Sequence, residues 1–145
     1  MAERVQTYKN HARFLPAFHF FVIPVLFLNF VNDARHLYRD QSAGAAFALG
    51  VAIALLMLGF LSRIQALSVQ DRVIRLEMRL RLKQLLPADL QARINDLTPR
   101  QLVALRFAGD AEMTDLVREA LDGKLQTGKE IKLRVKNWQA DWLRA

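Results

Sequence analysis

A chain of 145 residues without cysteine excludes disulfide bonds, thiolate metal sites and cysteine nucleophiles. Its net charge of +7 suits a partner that is an anionic membrane surface or a nucleic acid. Apolar and charged residues are unevenly distributed along the chain. Eight of the nine phenylalanines precede residue 61, whereas residues 62–145 carry sixteen basic and eleven acidic side chains. We therefore divide the chain into an apolar part, residues 1–61, and a charged part, residues 62–145.

Two apolar runs dominate the first part. Residues 14–31 carry no formal charge apart from the titratable His19, and residues 43–61 carry none. At about 1.5 Å per residue, each helix would span roughly 27–29 Å, close to the hydrocarbon thickness of a membrane. One alternative is a buried hairpin in a soluble core. A cleaved signal peptide is disfavoured, since no small-residue cleavage site closes the first run. We predict a two-helix transmembrane hairpin.

The charges that flank the two runs predict an orientation. The N-terminal tail carries three basic residues, and five arginines follow the second run between residues 63 and 81. The connection Asn32–Ser42 has two arginines balanced by two aspartates. Because loops rich in arginine and lysine stay on the cytoplasmic side, we expect both termini to be cytoplasmic.

Small residues in the second run predict how the hairpin packs. Ala46, Gly50 and Ala54 are four apart and share a helix face, which would let the first helix approach closely. Pro24 should kink the first helix, because it lacks an N–H and frees the carbonyl of Phe20.

The three histidines are the candidate metal ligands. His11 and His19 lie eight residues apart on one helical face, too far apart to bind one ion together, and His36 lies in the connection. We interpret His19 as a residue at the membrane interface. We expect no metal, haem or other cofactor, while a ligand role for any of the three histidines stays open.

No helix-breaking residue lies between Leu61 and Leu86, so the second run should continue as one long helix. On a helical wheel this extension has two apolar faces separated by polar bands. The first face contains Val69, Val73, Leu76 and Leu80. The second face contains Leu67, Ile74, Met78, Leu82 and Leu85. We expect the downstream helices to cover one face and a partner to cover the other, and we assign the second face to the partner.

A basic band lies between the two apolar faces. It contains Arg72, Arg75, Arg79 and Lys83, and Arg63 lies upstream on the same helix. Each cation near an anionic membrane contributes about 1 kcal/mol of binding, so the band is a candidate contact for lipid head groups. The alternative is a solvated face whose charges pair along the helix, such as Asp71 with Arg75 and Glu77 with Arg81.

The charged part should end in a small bundle of short helices. Pro87 marks a break, Thr98 with Gln101 and Thr127 with Glu130 have capping-box spacing, and Gly123 suits a helix end. Trp138 and Trp142 are one turn apart, and we place them in the small core rather than at the membrane interface. The basic run Lys129, Lys132, Arg134 and Lys136 lacks interleaved aromatic residues, which disfavours nucleic acid as a partner.

Four segments resemble a known family: YKNHARFLPAFHFFVIPVLFLN, VQDRVIRLEMRLRL, LTPRQLVALRFA and IKLRVKNWQADWLR. The QDRVIRLE core and LTPRQLVALRFA are the most specific of these. In them the chain is similar to a family of small bacterial two-span membrane proteins of unknown function. The resemblance covers nearly the whole chain and implies a two-span bacterial membrane protein with a cytoplasmic helical domain; we expect it in the inner membrane. It implies no activity, so no catalytic residue is carried over.

Together these patterns predict an all-α fold, with a transmembrane hairpin, an extended second helix and a small helical bundle. Because no catalytic constellation, phosphate loop or metal cluster is recognisable, we expect a non-enzymatic membrane subunit. Its partners would be membrane lipids and other membrane subunits or further copies of the chain, with no small-molecule substrate. The second hypothesis is a membrane-tethered protein that binds acidic lipid head groups or RNA through the basic band.

Overall fold

The computed structural model describes residues 6–8, 10 and 15–141. Within this part the regular elements are all helices, as the sequence predicts, and one isolated antiparallel bridge joins Ala108 to Trp138. The elements are a π-helical turn Ala17–Val22, α1 Ile23–Arg39, α2 Ala43–Leu85, α3 Ala88–Gln91, a 3-10 turn Ile94–Asp96, α4 Pro99–Leu105, α5 Asp110–Leu121 and α6 Gly128–Arg134.

The described residues form two compact units. One unit comprises residues 15–68, and the other comprises residues 69–141 with the described N-terminal residues. The division after residue 68 and the boundary at residue 61 that we took from composition both lie within α2. Two helical stretches, Ala17–Arg39 and Ala43–Leu85, are long and apolar enough to cross a membrane.

A π-helical turn accommodates Pro24 in the first helix. The N–H of Ile23 donates to the carbonyl of Phe18, which lies five residues earlier. In an α-helix the acceptor lies four residues earlier. Pro24 has no N–H, and its ring would clash with the carbonyl of Phe20 in a regular α-helix. The wider π turn relieves that clash, so the helix continues through the proline. We predicted a kink at Pro24, and the structure shows a π turn before it.

The turn between α1 and α2 is shorter than the sequence suggests. We expected a connection over Asn32–Ser42, but α1 continues to Arg39. The side chain of Asn29 donates to Asp33 at 3.1 Å, one turn further on, so these polar residues are paired within the helix. Ser42 begins α2 as its cap, because its Oγ accepts from the N–H of Ala45 at 3.2 Å.

The small residues that pack the hairpin are not the ones that we expected. Gly50 has open space where a side chain would stand, and Ala46 and Ala54 are exposed. The buried small residues are Ala45 and Ala52, at 4% and 1% exposure. Gly59 continues this face, since a Cβ there would lie 3.3 Å from Ile23 Cδ1. The expectation for Ala46, Gly50 and Ala54 is therefore wrong within this unit, because α1 packs on a stripe with a period of seven.

One face of α2 and all the short helices share the core of the second unit. The buried members are Ile74, Met78, Leu82, Leu86, Leu90, Ile94, Leu97, Leu102, Ala104, Leu105, Ala108, Met113, Leu116, Val117, Ala120, Leu125, Ile131 and Val135. Trp138 packs against this core, with its ring 4.8 Å from that of Phe107. The expected core position is confirmed for Trp138, whereas Trp142 lies outside the described residues.

Local sequence signals place the ends of the short helices. Thr98 and Gln101 form the predicted capping box of α4, and Thr127 and Glu130 form that of α6. Each box satisfies backbone N–H groups that the first helical turn leaves without partners. Gly123 follows α5 with a φ of 77°, a left-handed conformation that glycine adopts without steric cost.

Long-range hydrogen bonds hold the C-terminal segment against the second unit. The carboxylate of Glu112 accepts from the N–H groups of Lys136 and Asn137, each at 3.0 Å. The N–H of Gln139 donates to the Phe107 carbonyl at 2.8 Å. At the end of this segment, the N–H of Asp141 donates to Oε1 of Gln6 at 2.9 Å. The two ends of the described chain thus meet in the same unit.

Candidate interaction surface

The structure reverses the assignment of the two apolar faces of α2. Ile74, Met78 and Leu82, which we assigned to a partner, are buried at 6%, 3% and 0% exposure by the chain's own helices. Leu85 packs partly against the same core, and Leu67, which lies in the other unit, is half-buried. The physical reason is that Leu86 extends this face up to the turn at Pro87, so the chain folds back on that side.

The other apolar face of α2 is left open. Its four members, which we call the open stripe, are Val69, Val73, Leu76 and Leu80. They are exposed by 61%, 48%, 60% and 55%. Isolated exposed apolar residues are normal on a protein surface, but four on one helical face form a contiguous patch. The open stripe is therefore the candidate interaction surface of the second unit.

The basic band borders the open stripe. Arg72, Arg79 and Lys83 are exposed, while Arg75 is half-buried and donates from Nε to the backbone carbonyl of Asp71 at 3.1 Å. Arg63 is half-buried and belongs to the other unit. Three cations of the basic band are therefore exposed at the surface, next to the apolar side chains of the open stripe.

Arg81 has a role that the sequence did not reveal. We expected it to pair with Glu77 along α2, but its Nε donates to the carboxylate of Asp110 at 2.9 Å and its Nη2 to the carbonyl of Ala108 at 2.8 Å. Since both acceptors lie at the start of α5, Arg81 ties α2 to the rest of the unit. Glu77 is consequently left at the surface beside the open stripe.

Shifted pKa values occur away from this surface. The pKa of Glu119 is lowered because its carboxylate accepts hydrogen bonds from Arg134, and the pKa of Arg134 is raised by the same contact. The pKa of Glu130 is lowered mainly by the backbone N–H of Thr127 and then by that of Gln126. Both carboxylates stabilise α6, so these shifts have a structural cause and do not indicate an acid–base site.

The described residues contain no cluster of three or more histidine or acidic side chains that could hold a metal ion. Nδ1 of His19 lies 2.9 Å from the carbonyl oxygen of Leu15, just before the helical turn that contains His19, and His36 is exposed. His11 lies outside the described residues. The structure thus brings no two of these histidines together in the part that it describes.

Comparison with known protein families identifies the chain's family. A model of the family DUF6526, described as a family of unknown function, matches residues 1–145. The chain belongs to this family. The resemblance read from the sequence is confirmed as far as membership of a family of unknown function. No curated protein and no solved structure shows significant similarity to this DUF6526 member.

Proposed function

We propose that this DUF6526 chain is a non-enzymatic integral membrane protein that serves as a structural or accessory subunit of a homo-oligomer or a larger membrane complex. The single observation that carries the proposal is the pair of apolar faces on α2. One face is covered by the chain's own helices, and the open stripe on the other side has no covering in the described chain. Burial of such a stripe against a partner is favourable by about 25 cal/mol per Å² of apolar surface.

The hairpin unit supports a membrane location. In the most apolar window of the first helix no residue is buried, and in that of α2 only 11% of residues are buried. Core helices of a soluble protein would bury most of such a surface. Side chains such as Phe20, Phe47 and Leu58 are exposed by 73%, 76% and 62%, which suits contact with lipid tails.

The flanking charges and one contact support the topology that we propose, with both termini cytoplasmic in a bacterial inner membrane. The hydrogen bond between Gln6 and Asp141 supports a topology in which both ends of the described chain lie on the same side of the membrane. Two crossings satisfy this condition and one does not. The excess of arginine after the second apolar run favours the cytoplasm as that side.

The proposal is tested by extracting the full chain in a mild detergent and measuring its mass in the native state. We expect an assembly larger than the 16.6 kDa monomer. Leu76→Glu should dissociate this assembly and leave the second unit folded, because Leu76 is exposed. Met78→Glu, two residues away, should unfold the unit, since a buried unpaired charge costs several kcal/mol. A lone monomer both in native membranes and in detergent would refute the proposal.

A second candidate function rests on the exposed cations of the basic band. The band would bind anionic ligands, namely acidic lipid head groups or RNA, close to the membrane. Binding through phosphate contacts weakens steeply as the salt concentration rises. Replacing Arg72, Arg75, Arg79 and Lys83 together by glutamine should abolish binding of the full chain to liposomes or RNA. If the unaltered chain binds neither at low salt, this second function is excluded.

A further inference from the structure

The spacing of the open stripe matches a coiled-coil seam. Val69, Val73, Leu76 and Leu80 are separated by four, three and four residues, which places them at positions d, a, d and a of a heptad repeat. In the same register Ile74, Met78 and Leu82 occupy positions b, f and c, on the back of the helix. A second helix on the seam would therefore lie opposite the unit's own core. The central pair, Val73 at a with Leu76 at d, is the combination that favours a two-stranded assembly, while Val69 at d and Leu80 at a have the reverse order.

The charges beside the seam are complementary to those of an identical helix. Arg72 occupies position g, and Glu77, five residues later, occupies position e of the next heptad. In a parallel coiled coil, position g of one helix faces position e of the following heptad on the other. Both side chains are exposed, and within residues 69–141 neither makes an ion pair in the chain's own fold. An antiparallel pair would instead bring the arginines at positions 72 and 79 against their counterparts.

We propose that the partner of the open stripe is a second copy of this chain, paired in parallel and in register along residues 69–80. Arg72 of each copy would then pair with Glu77 of the partner subunit, giving two symmetric ion pairs that flank the apolar seam. The inference rests on the proposed function and names its partner. Two copies inserted in one membrane have the same orientation, which a parallel pair requires, and confinement to the membrane raises their effective concentration.

A charge exchange tests the pairing. Arg72→Glu places two glutamates opposite each other across the seam, and Glu77→Arg places two arginines there. Each single variant of the full chain should weaken dimerisation several-fold in detergent at low salt. The double variant, Arg72→Glu with Glu77→Arg, should restore it, because the complementary pairs form again with reversed sign. A double variant no better than the singles would overturn the pairing, and thermal unfolding of each variant distinguishes lost pairing from lost folding.

Cysteine cross-linking tests the register independently, since the natural chain contains no cysteine. Val73→Cys and Leu80→Cys each place a thiol at position a, and mild oxidation of native membranes should give a disulfide-linked dimer with both. Asp71→Cys, at position f on an exposed part of the helix, is the control and should stay monomeric. An antiparallel pair would cross-link at no more than one of the two seam positions.

The outcomes separate this inference from the function on which it rests. If an assembly is found in detergent but neither seam cysteine cross-links, the second copy is excluded as occupant of the stripe while the subunit role stands. Cross-linking of the seam cysteines to a different protein would likewise exclude the second copy, while the subunit role stands. If no assembly of any kind is found, both the inference and the proposed function fail.

Discussion

Nε of Arg106 donates to the carboxylate of Asp141 at 2.9 Å, and only 10% of the arginine side chain is exposed. The same guanidinium donates from Nη1 to the carbonyl of Val103 and lies 4.2 Å from the centre of the Phe107 ring. A largely buried cation depends on its acceptors, so this ion pair fixes the end of the C-terminal segment.

We therefore expect Asp141→Ala to lower the free energy of unfolding of the second unit by about 2 kcal/mol, because a desolvated guanidinium loses its anionic partner. Chemical denaturation followed by tryptophan fluorescence measures this change, and limited proteolysis should show earlier cleavage near the C-terminus. Asp96→Ala is the matched control, since its pair with Arg93 is exposed on both sides and should contribute less than about 0.5 kcal/mol. Equal effects of the two variants would show that the Arg106 pair is not a stabilising contact.

The two faces of α2 should differ in their response to cavity formation. Leu82 is fully buried, whereas Leu80, two residues away, is 55% exposed. Leu82→Ala should cost roughly 2–5 kcal/mol through lost burial and the cavity that remains. Leu80→Ala should change the unfolding free energy of the isolated monomer by less than about 0.5 kcal/mol. Similar losses at both positions in a monomeric preparation would contradict the assignment of the faces.

The close approach of α1 to Gly59 predicts a position-specific effect of valine. A Cβ at Gly59 would lie 3.3 Å from Ile23 Cδ1 and 3.5 Å from Leu26 Cδ1, so the additional methyl groups of Gly59→Val must push the helices apart. Gly50→Val introduces the same side chain into open space of the same helix. We expect Gly59→Val alone to lower the temperature at which helicity is lost in detergent, as measured by circular dichroism. If Gly50→Val were the more damaging variant, the result would instead support packing on the stripe of Ala46, Gly50 and Ala54.

The capping box of α6 predicts a pH-dependent contribution to stability. Backbone N–H groups hold the pKa of Glu130 below its ordinary value of about 4.3, so its stabilising effect is fully present above that value. The effect is lost as the pH falls through the lowered pKa of the folded state, when the carboxylate takes up a proton. Glu130→Gln keeps a side-chain acceptor for the N–H of Thr127, which donates at 3.0 Å in the natural chain.

The measurement is the unfolding free energy between pH 6 and pH 3. Glu130→Gln should be less stable than the natural chain at pH 6, and this difference should shrink toward pH 3. Glu130→Ala, which also removes the acceptor, should be the less stable of the two variants at every pH. A difference between the natural chain and Glu130→Gln that stays constant over the whole range would show that the charge of Glu130 does not stabilise α6.

Local chemistry made the helix boundaries of the second unit predictable. The capping boxes at Thr98 and Thr127 and the glycine at 123 depend on residues within a few positions of each other, and all three are found as predicted. At the start of α5, Gly109 is the cap and Asp110 is the first residue of the helix. The carboxylate of Asp110 is directed to Arg81, a partner that lies 29 positions earlier in the chain.

Packing choices between equivalent patterns could not be decided from sequence. Both apolar faces of α2 contain aliphatic residues of similar size, so the wheel shows two faces without showing which the chain covers. Ala46, Gly50 and Ala54 repeat every four residues, and Ala45, Ala52 and Gly59 repeat every seven, and either stripe permits close helix packing. The contacts of Glu112 with the backbone of residues 136 and 137 involve no periodic pattern at all.

The hydrogen bond between Gln6 and Asp141 joins residues 135 positions apart, so it constrains when the second unit can be completed during synthesis. A ribosome that adds 5–20 residues per second leaves the N-terminal segment without this partner for roughly 7–27 s. Both apolar helices are made within that interval, before Leu102, Val117 or Ile131 of the core has been translated. The two apolar helices are therefore synthesised before the second unit can be completed, although Gln6, which precedes them in the chain, belongs to that unit.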